Sequence, residues 1–325
     1  MPTTRRALLI GIRAAGACEL RGARAQEMYP SKGATIRVVV PFAPGGASDI
    51  VGRLLADSLS RRWSVPAVLE NVADGGTTVG VGRVASGPND GTQILILPLP
   101  FVTNQYLMAR LPYDPQHDIA PILQLTRQPS ILCVTPGLPV HSVADLIAYG
   151  KANPGNLNYA SSGVGSPGHL AAELFKSMSG IDMKHIPYTG SAPAQNALVG
   201  GHVDVFIDNA AAIIGLVRAS SVKALAVTTP ARSTLLPDFP AISETVQGFA
   251  MTGWLGVAVS GRTSGLIQNE IRTACNDCLN EKATRERLES LVAEPVGGTT
   301  EAFVEFLGGE RTRWGALIKT LSIQP

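Results

Sequence analysis

The chain has 325 residues, a length that favours two domains. Charged residues make up 16% of it and apolar residues 45%. This composition excludes a disordered charged tail, because such chains lack the apolar surface that repays the entropy of ordering. No run of apolar residues reaches the ~18 that a membrane-spanning helix needs.

The first 25 residues have the order of an export signal. Two arginines at 5–6 precede a short apolar run at 7–12, and a small-x-small sequence at 23–25 supplies a cleavage site. The arginine pair also resembles the start of a twin-arginine export signal. Arg13 interrupts the apolar run after six residues. We therefore expect export by the Sec or the twin-arginine route. The alternative is a disordered cytoplasmic extension.

The positive charge of the chain is concentrated in this leader. Of 27 basic and 25 acidic residues, five and one lie within 1–25, which leaves a net charge of −2 on the remainder. A nucleic-acid-binding protein needs a basic face on its folded body. We therefore expect no nucleic-acid partner.

Three cysteines follow the leader, and two of them have C-x-x-C spacing. Cys275 and Cys278 could indicate redox chemistry or half of a zinc site, but no second pair and no nearby histidine pair supplies further ligands. With Ile271 and Leu279 they share one face of a predicted helix. Packing in the core is the favoured interpretation for this pair. Cys133 is the third cysteine after the leader. We expect no metal site.

After the leader, predicted strands and helices alternate. The β-branched run 36–42 predicts a strand buried on both faces, and the small-residue loop 43–47 leads into a helix capped by Ser48 or Asp49. Such alternation favours an α/β architecture with mostly parallel sheets. Further strands are predicted at 94–97, 131–135, 158–160, 183–187, 203–207 and 222–228, and further helices at 142–151, 169–178, 191–199, 210–218, 264–279, 282–292 and 300–319.

Two glycine-rich strand-to-helix junctions carry the chemical information. The loops 43–47 and 161–168 expose backbone N–H groups at helix N-termini, an arrangement that binds anions without lysine or arginine. Each loop alone is also compatible with an ordinary tight turn. Two of them, on different predicted sheets, suggest two sides of one cleft. Hydroxyl donors are available from Ser48, Ser161, Ser162 and Ser166.

Two enzymatic interpretations are weaker. Residues 163–168 satisfy G-x-G-x-x-G, but Asp182 precedes the next strand, whereas a ribose-binding acid belongs at its far end. Ser166, His169 and Asp208 are the residue types of a hydrolase, yet Val164 breaks the G-x-S-x-G pattern. No paired carboxylates or metal-ligand spacings demand chemistry.

Several segments in collinear order identify a resemblance. The sequence is similar to the substrate-binding proteins of tripartite tricarboxylate transporters, the Bug family of proteobacteria, over about residues 29–320. The segments that carry the resemblance are Y-P-S-K at 29–32, V-V-P-F-A-P-G-G at 39–46 with S-D at 48–49, L-P-Y-D at 111–114, N-P-G-N-L-N-Y-A at 153–160, H-L-A-A-E-L-F at 169–175, H-I-P-Y at 185–188, G-S-A-P-A at 190–194, G-H-V-D-V at 201–205 and E-P-V-G-G-T at 294–299.

The resemblance implies an α/β, two-lobed periplasmic binding protein of type II, the "Venus flytrap", each lobe a mostly parallel sheet flanked by helices. It places lobe one at 28–125 plus 253–325 and lobe two at 126–252. The implied protein is a monomeric receptor rather than an enzyme, without cofactor. It captures a small carboxylate and delivers it to a two-component membrane permease. The alternatives are a carboxylate receptor that only signals and a nucleotide-cofactor enzyme.

The family's ligand carboxylate lies between the lobes. We expect Asp49 to cap a helix or orient backbone donors, because a carboxylate facing an anionic ligand would repel it. For Asp208 two alternatives stay open: it contacts the ligand, or it has a structural role. Carried onto this chain, the ligand-binding positions are Phe42, Ala43, Gly45, Gly46, Ser48, Asp49, Ser161, Ser162, Gly163, Gly165, Ser166 and His169, with Tyr188, Ser191, Ala192, Asp208 and Asn209 as secondary positions.

Departures from the family pattern bear on the ligand. Val72 stands where relatives commonly have arginine, and Thr189 where lysine is common. The apolar stretch 98–101 replaces one usually rich in Gly, Ser and Thr, and 260–264 also departs from the usual sequence. These changes favour a ligand with one carboxylate and an apolar or aromatic remainder over a tricarboxylate.

Overall fold

The computed structural model describes residues 29–321 except 74 and 234, so the predicted export signal at 1–25 lies outside the described residues. Strands and helices alternate along this part of the chain, as the sequence predicts. The strands are β1 Ile36–Val40, β2 Ala67–Asn71, β3 Gln93–Pro98, β4 Ile119–Val134, β5 Leu157–Ser161, β6 Met183–Pro187, β7 Val205–Asn209, β8 Lys223–Val227, β9 Thr252–Ser260 and β10 Glu294–Pro295. The helices are α1 Ala47–Trp63, α2 Thr78–Ser86, α3 Pro100–Leu107, α4 Val143–Ala152, α5 Pro167–Ser179, α6 Ser191–Val199, α7 Ala210–Arg218, α8 Gly265–Asn280, α9 Lys282–Ser290 and α10 Thr300–Leu321.

The strands form two sheets that share β4. The first has the order β2-β1-β3-β9-β4 with β10 on β4, and the second has the order β4-β7-β5-β6 with β8 on β4. We call the first sheet with α1–α3 and α8–α10 the first lobe, and the second sheet with α4–α7 the second lobe. This is the two-lobed α/β architecture expected from the sequence.

The expectation of mostly parallel sheets needs correction, because both sheets are mixed. β1 runs parallel to β2 and β3, and β5 runs parallel to β6 and β7. The strands that connect the lobes pair in antiparallel fashion: β4 is antiparallel to β7, β8 and β9, and β9 is antiparallel to β3. A chain that passes between two sheets and returns lays its crossing strands antiparallel to each other.

The chain crosses between the sheets twice. Residues 119–129 of β4 pair with β9 in the first sheet, while residues 130–134 pair with β7 and β8 in the second. The return lies between β8 and β9, where the N–H of Met251 donates to the carbonyl of Thr228 over 2.7 Å. The lobe boundaries 28–125 plus 253–325 and 126–252 remain a proposal.

The start of the first lobe shows why these residues fold as they do. Val38, Val39 and Val40 in β1 are fully buried, as expected of a strand covered on both faces. Helix α1 lies very close to this sheet, since a Cβ on Gly52 would come within 2.7 Å of a Leu69 methyl group. Each large apolar side chain buried in this way contributes roughly 1.5–3 kcal/mol. The first glycine loop is therefore held between two rigid elements.

Several elements differ from the sequence-based expectation. The predicted cap of α1 was wrong, because the helix begins at Ala47 with Gly46 as its N-cap. β4 begins at Ile119 rather than at residue 131. Five elements were not predicted, namely β2, β9, β10, α2 and α3. Each contains Gly, Pro or polar residues that obscure the local pattern, and each is held by pairing or packing against neighbours.

The cysteines are structural. Cys133, Cys275 and Cys278 are free thiols in the core, and burial raises the pKa of each. Packing of the C-x-x-C pair in the core, on α8, is therefore confirmed. Within the described part of the chain, no helix is both long and apolar enough to cross a bilayer.

Candidate functional site

The first glycine loop is in direct contact with the other lobe. The N–H of Ala43 donates to the carbonyl of Thr189 over 3.2 Å. A Cβ on Gly46 would lie 3.3 Å from Ser191 Oγ, and one on Gly190 would lie 3.0 Å from Ala43 Cβ. These glycines let the backbones of the two lobes meet.

The second glycine loop, at 161–166, meets a different element of the first lobe. Thr103 Oγ1 in α3 donates to the carbonyl of Gly165 over 3.1 Å. A Cβ on Gly165 would come within 2.7 Å of that Oγ1, and the φ of +72° at this residue also requires glycine. The two glycine loops therefore lie on opposite sides of one cleft. Each loop makes its contacts across the cleft with other segments and not with the other loop.

The cleft contains two adjoining cavities that share Phe42 and Ser162. The inner cavity has a volume of about 20 Å³, about the space of one water molecule, and the outer cavity about 240 Å³. The inner cavity is lined by Phe42, Gly46, Ala47, Ser48, Pro98, Leu99, Ser162, Pro167, Ser191, Asn209, Trp254 and Leu255. The outer cavity is lined by Pro41, Phe42, Gly76, Thr77, Met108, Ser162, Gly163, Val164, Pro187, Tyr188 and Thr189.

Helix N-termini converge on the inner cavity. Its lining contains the N-cap or first residues of α1, α3, α5, α6 and α7. The N-caps of α1, α3, α6 and α7 make no side-chain capping hydrogen bond. Their first-turn N–H groups therefore depend on another acceptor. Helix N-termini carry partial positive charge, so this end of the cleft favours an anion.

No charged side chain lines either cavity. Among the described residues, no group of three His, Cys, Asp or Glu side chains could hold a metal ion. An anion in the cleft would consequently be held by backbone N–H groups and hydroxyls. A larger groove of about 570 Å³ lies in the second lobe beside Ala144, Met178 and Val246, and no predicted site residue lines it.

Asp49 orients the first loop, as the sequence interpretation expected. Its Oδ2 accepts from the Gly45 N–H over 3.1 Å and from Arg53 Nε over 3.1 Å. Burial acts to raise the pKa of Asp49, but the hydrogen bonds from Arg53 and Gly45 outweigh it and leave the pKa below its ordinary value. The carboxylate faces backbone donors and an arginine. The same loop is fixed from the other side by Asn71, whose Nδ2 donates to the Phe42 carbonyl over 3.1 Å.

Asp208 supports the second lobe's side of the inner cavity. Its carboxylate accepts from Ser191 Oγ over 2.9 Å, from Gln195 Nε2 over 2.8 Å and from the Asn209 N–H over 2.9 Å. Burial raises the pKa of Asp208 to about 6. Because the Ser191 hydroxyl donates its hydrogen bond to Asp208, its oxygen presents only acceptor lone pairs to the cavity.

A stack of aromatic rings holds the second glycine loop. His169 Nδ1 accepts from the Gly165 N–H over 3.0 Å, and His185 Nε2 lies 2.7 Å from Ser161 Oγ. The two imidazoles stack with centroids 4.1 Å apart, and Tyr159 stacks on His185 at 4.8 Å. Burial lowers the pKa of His169 to about 3 and that of His185 to about 4. Both rings are therefore neutral near pH 7, which leaves His169 Nδ1 free to accept.

Trp254 forms part of the inner wall and ties it to the C-terminal helix. Its Nε1 donates to Glu310 Oε2 over 2.8 Å, and Trp314 Nε1 donates to the same oxygen over 2.9 Å. Glu310 is buried. Neutral indole donors satisfy this carboxylate, and the pair fixes the position of the Trp254 ring.

The structure divides the predicted site residues into two groups. Those that line a cavity are Phe42, Gly46, Ser48, Ser162, Gly163, Tyr188, Ser191 and Asn209. Those that stand behind the lining are Ala43, Gly45, Asp49, Ser161, Gly165, Ser166, His169, Ala192 and Asp208. Members of this second group position the first, as described for Asp49, Asp208 and His169.

Sequence reasoning missed several wall residues. Pro98 and Leu99 belong to a stretch that was marked as unusually apolar but not assigned to the site. Trp254 was not predicted as a site residue, because the strand that carries it was not predicted. Thr77 in the outer cavity is buried with a φ of +80° and a hydroxyl that has no partner among the described residues. No motif marked it.

Comparisons with known proteins agree with this architecture. A family model described as "Tripartite tricarboxylate transporter family receptor" matches residues 51–323. Protein BugT of Bordetella pertussis is 32% identical over 296 residues, which covers 90% of each chain.

Two solved structures extend the comparison. The R. palustris protein Rpa4515, solved with adipate, is 35% identical with a TM-score of 0.88 and covers 92% of this chain and 100% of its own. MatC from Rhodopseudomonas palustris, solved with bound malate, is 28% identical with a TM-score of 0.83 and covers 87% and 98%. The family match over most of the chain, the two-lobed fold and the paired loops lead to one conclusion: the chain belongs to the tripartite tricarboxylate transporter receptor family.

Proposed function

We propose that this protein is a periplasmic solute-binding protein that captures a small carboxylate between its lobes and delivers it to a two-component membrane permease. One observation carries the proposal: five helix N-termini converge on an inner cavity that no charged side chain lines. The neighbours solved with adipate and with malate support a carboxylate as the ligand. The protein would act as an exported monomer without catalysis.

The electrostatics favour one carboxylate in the inner cavity. Each helix N-terminus acts as roughly half a positive charge, and its free N–H groups suit carboxylate oxygens. A second or third carboxylate in the same cleft would lack a cationic side chain to compensate its desolvation. A single carboxylate therefore fits this cleft better than a tricarboxylate.

The rest of the ligand would be apolar. Phe42, Leu99, Trp254 and Leu255 line the inner cavity, and Phe42 continues into the outer one, where Met108 and Val164 add apolar surface. Burying apolar ligand surface there contributes about 25 cal/mol per Å². We propose an acid with an aliphatic or aromatic remainder that points outward past Phe42.

Binding requires the lobes to open and close. The inner cavity has room for about one water molecule, so the lobes must separate before a carboxylate can enter it. Rotation at the two crossings would separate the loops, and a ligand that contacts both lobes would then favour closure. Contacts available only in the closed form are the source of the affinity.

A thermal-shift screen against monocarboxylic, dicarboxylic, tricarboxylic and aromatic acids tests the binding proposal. We expect monocarboxylates with an aliphatic or aromatic remainder to raise the melting temperature most, and calorimetry to give one site per chain. Stabilisation only by tricarboxylates or by neutral sugars would contradict the proposal. Conversion of an acid during incubation would contradict the absence of catalysis.

Delivery to a permease is tested in cells. Removing the gene should abolish uptake of the acid that the purified protein binds, and restoring the wild-type gene should return it. Unchanged uptake, together with loss of a transcriptional response to the acid, would favour the receptor that only signals.

A further inference from the structure

A buried carboxylate lies one hydrogen bond behind the wall of the inner cavity. Asp208, at the end of β7, is only 2% exposed, and its Oδ1 accepts from Ser191 Oγ over 2.9 Å. Ser191 lines the inner cavity, whereas Asp208 does not. A ligand oxygen hydrogen-bonded to Ser191 Oγ would therefore lie at most about 6 Å from Asp208 Oδ1.

The partners of Asp208 leave its negative charge uncompensated. Among the described residues, its hydrogen-bond donors are Ser191 Oγ, Gln195 Nε2 and the Asn209 N–H, and all three are neutral. The lining of the inner cavity adds no charged side chain. A ligand carboxylate would therefore bring a second negative charge beside the first. When two carboxylates share a site, the pKa of one of them rises strongly.

Few ionisable groups surround Asp208. On β4, burial together with the charge of Asp208 holds the pKa of the Cys133 thiol well above its ordinary value, so this thiol is neutral. Helix α6 has no ionisable side chain, and Arg218 lies at the far end of α7. The remaining ionisable side chains on the elements that pack against β7 make their hydrogen bonds elsewhere: Tyr159 on β5 and His169, Glu173 and Lys176 on α5.

In its ionised form Asp208 opposes an anionic ligand in two ways. It accepts the hydrogen bond of the Ser191 hydroxyl, so only lone pairs of Ser191 face the cavity, and these repel a carboxylate oxygen. Its charge also lies within the roughly 4–6 Å over which one ionised group shifts the pKa of another. Burial already raises the pKa of Asp208 to about 6. A single proton on Asp208 would remove both effects.

We propose that Asp208 takes up one proton when the acid binds, so that the receptor captures a carboxylate together with a proton. The proton comes from solvent and forms an O–H bond at Asp208 Oδ1. This O–H donates to Ser191 Oγ, and the Ser191 hydroxyl turns to donate to the ligand carboxylate. Gln195 Nε2 still donates to Oδ2, and the Asn209 N–H to the remaining lone pair of Oδ1.

This inference rests on the proposed carboxylate receptor and gives its affinity a defined pH dependence. Below about pH 6, Asp208 is already protonated in the free protein, so binding takes up no proton. Above pH 6, the free protein is ionised at Asp208 while the complex keeps the proton. The affinity should therefore fall as the pH rises, by up to about tenfold per pH unit, until the pH reaches the pKa of Asp208 in the complex.

Calorimetric titration of the purified protein with hexanoate and with 3-phenylpropanoate tests this coupling. Both carboxylic acids stay ionised between pH 6.5 and 8.5, so a proton taken up on binding goes to the protein. Titrations at pH 7.5 in phosphate and in Tris, two buffers with different ionisation enthalpies, give the number of protons. We expect about 0.5–1 proton per acid, and an affinity that falls about tenfold or more from pH 6.5 to 8.5.

Two variants assign the proton. Asp208→Asn has no carboxyl group to protonate, so it should take up no proton, and its affinity should change by less than about twofold over the same pH range. Asp204→Asn is the matched control. It changes a carboxylate that accepts from the Asn158 N–H at the other end of β7, roughly 13 Å along the strand, and the asparagine oxygen can still accept. This variant should keep the proton uptake of wild type.

The outcomes separate this inference from the proposed function. Binding by wild type with no proton uptake and a constant affinity would overturn the coupling and leave the carboxylate receptor intact. Proton uptake that persists in Asp208→Asn would also overturn it, because another group would then receive the proton. If neither acid binds wild type at any pH, the proposed single-carboxylate receptor is itself contradicted, and this inference with it.

A second measurement on wild type covers the case in which Asp208→Asn does not fold. Infrared difference spectra are recorded at pH 7.5 with an acid that carries carbon-13 in its carboxyl group. Binding should add a protonated carboxyl band at the unlabelled position, which belongs to the protein. Absence of this band, or its appearance only at the labelled position, would overturn the proposal.

Discussion

The N–H of Ala43 and the carbonyl of Thr189 are joined over 3.2 Å, and this hydrogen bond connects the two lobes at the edge of the cleft. The residues beside it, Gly45, Gly46 and Gly190, have no side chains that would hold the backbones apart. Closure of the cleft therefore depends on main-chain contact, and a single added side chain should interfere with it.

We expect Gly190→Val to weaken ligand binding at least about tenfold while leaving the fold intact. Gly190 has extended backbone, φ 167°, so valine causes no local strain, but its Cβ would lie 3.0 Å from Ala43 Cβ. A side chain there would destabilise the closed form by about 1–3 kcal/mol. Calorimetric titration measures the affinity. Gly137→Val, at a glycine with nothing within 4 Å, is the matched control. Equal affinities in the two variants would contradict the role assigned to this contact.

Asp208 should give stability a measurable pH dependence. Its folded pKa of about 6 lies above the ordinary aspartate pKa of 3.8, so between these pH values the folded state binds more protons than the unfolded state. The contribution is therefore fully present below about pH 4 and is lost as the pH rises through 6, by about 3 kcal/mol in all.

The variant Asp208→Asn isolates this contribution. The asparagine oxygen still accepts from Ser191 and the Asn209 N–H, and Gln195 can turn its amide to accept from the new NH2 group. Denaturant unfolding at pH 4 and pH 7 should show that wild type loses about 3 kcal/mol more than the variant over this interval. Parallel losses in both proteins would contradict the raised pKa.

His169 should be replaceable by asparagine but not by leucine. The Oδ1 of asparagine can accept from the buried Gly165 N–H, whereas leucine leaves it unpaired at a cost of about 1–3 kcal/mol. Thermal unfolding should therefore rank wild type and His169→Asn above His169→Leu. Since the folded pKa of His169 is about 3, its stabilisation is present above pH 6.5 and is lost as the pH falls toward 3. His169→Asn should lose less stability than wild type between pH 7 and 4.

Glu310→Met should destabilise the protein by about 1–3 kcal/mol. Methionine removes the oxygen that accepts from both Trp254 and Trp314 and leaves the two indole N–H groups without that acceptor. Urea unfolding measures the change. Glu305→Met, at an exposed position of the same helix, should change stability by less than about 0.5 kcal/mol. A loss of similar size in both variants would show that the charge of α10, not the indole contact, is responsible.

Local patterns predicted the glycine loops and many of the elements beside them. Helices α6 and α7 and strand β6 have the predicted bounds: Gly190 and Gly200 flank α6, Asn209 precedes α7, and β6 ends at Pro187. Strand β9 was missed because Gly253 and Gly256 interrupt its apolar pattern. A Cβ on Gly256 would lie 2.2 Å from Phe303, so this glycine serves a contact with a distant helix. Such a reason is not visible locally.

The site could be predicted only in part. Both glycine loops were located in the sequence, because their composition and position before a helix are local features, and their role in binding an anion stays a prediction. The meeting of Ala43 with Thr189, and of Gly165 with Thr103, depends on how two lobes are placed by strands far apart in sequence.

The convergence of uncapped helix ends has an evolutionary consequence. An attraction for negative charge that resides in the main chain survives almost any substitution, since every amino acid except proline brings the same N–H group. Side chains such as Pro98 and Leu99 can then change while this main-chain attraction is retained. Proteins with this architecture can therefore change their ligand by changing the side chains that line the cavity, while the main-chain N–H groups stay the same.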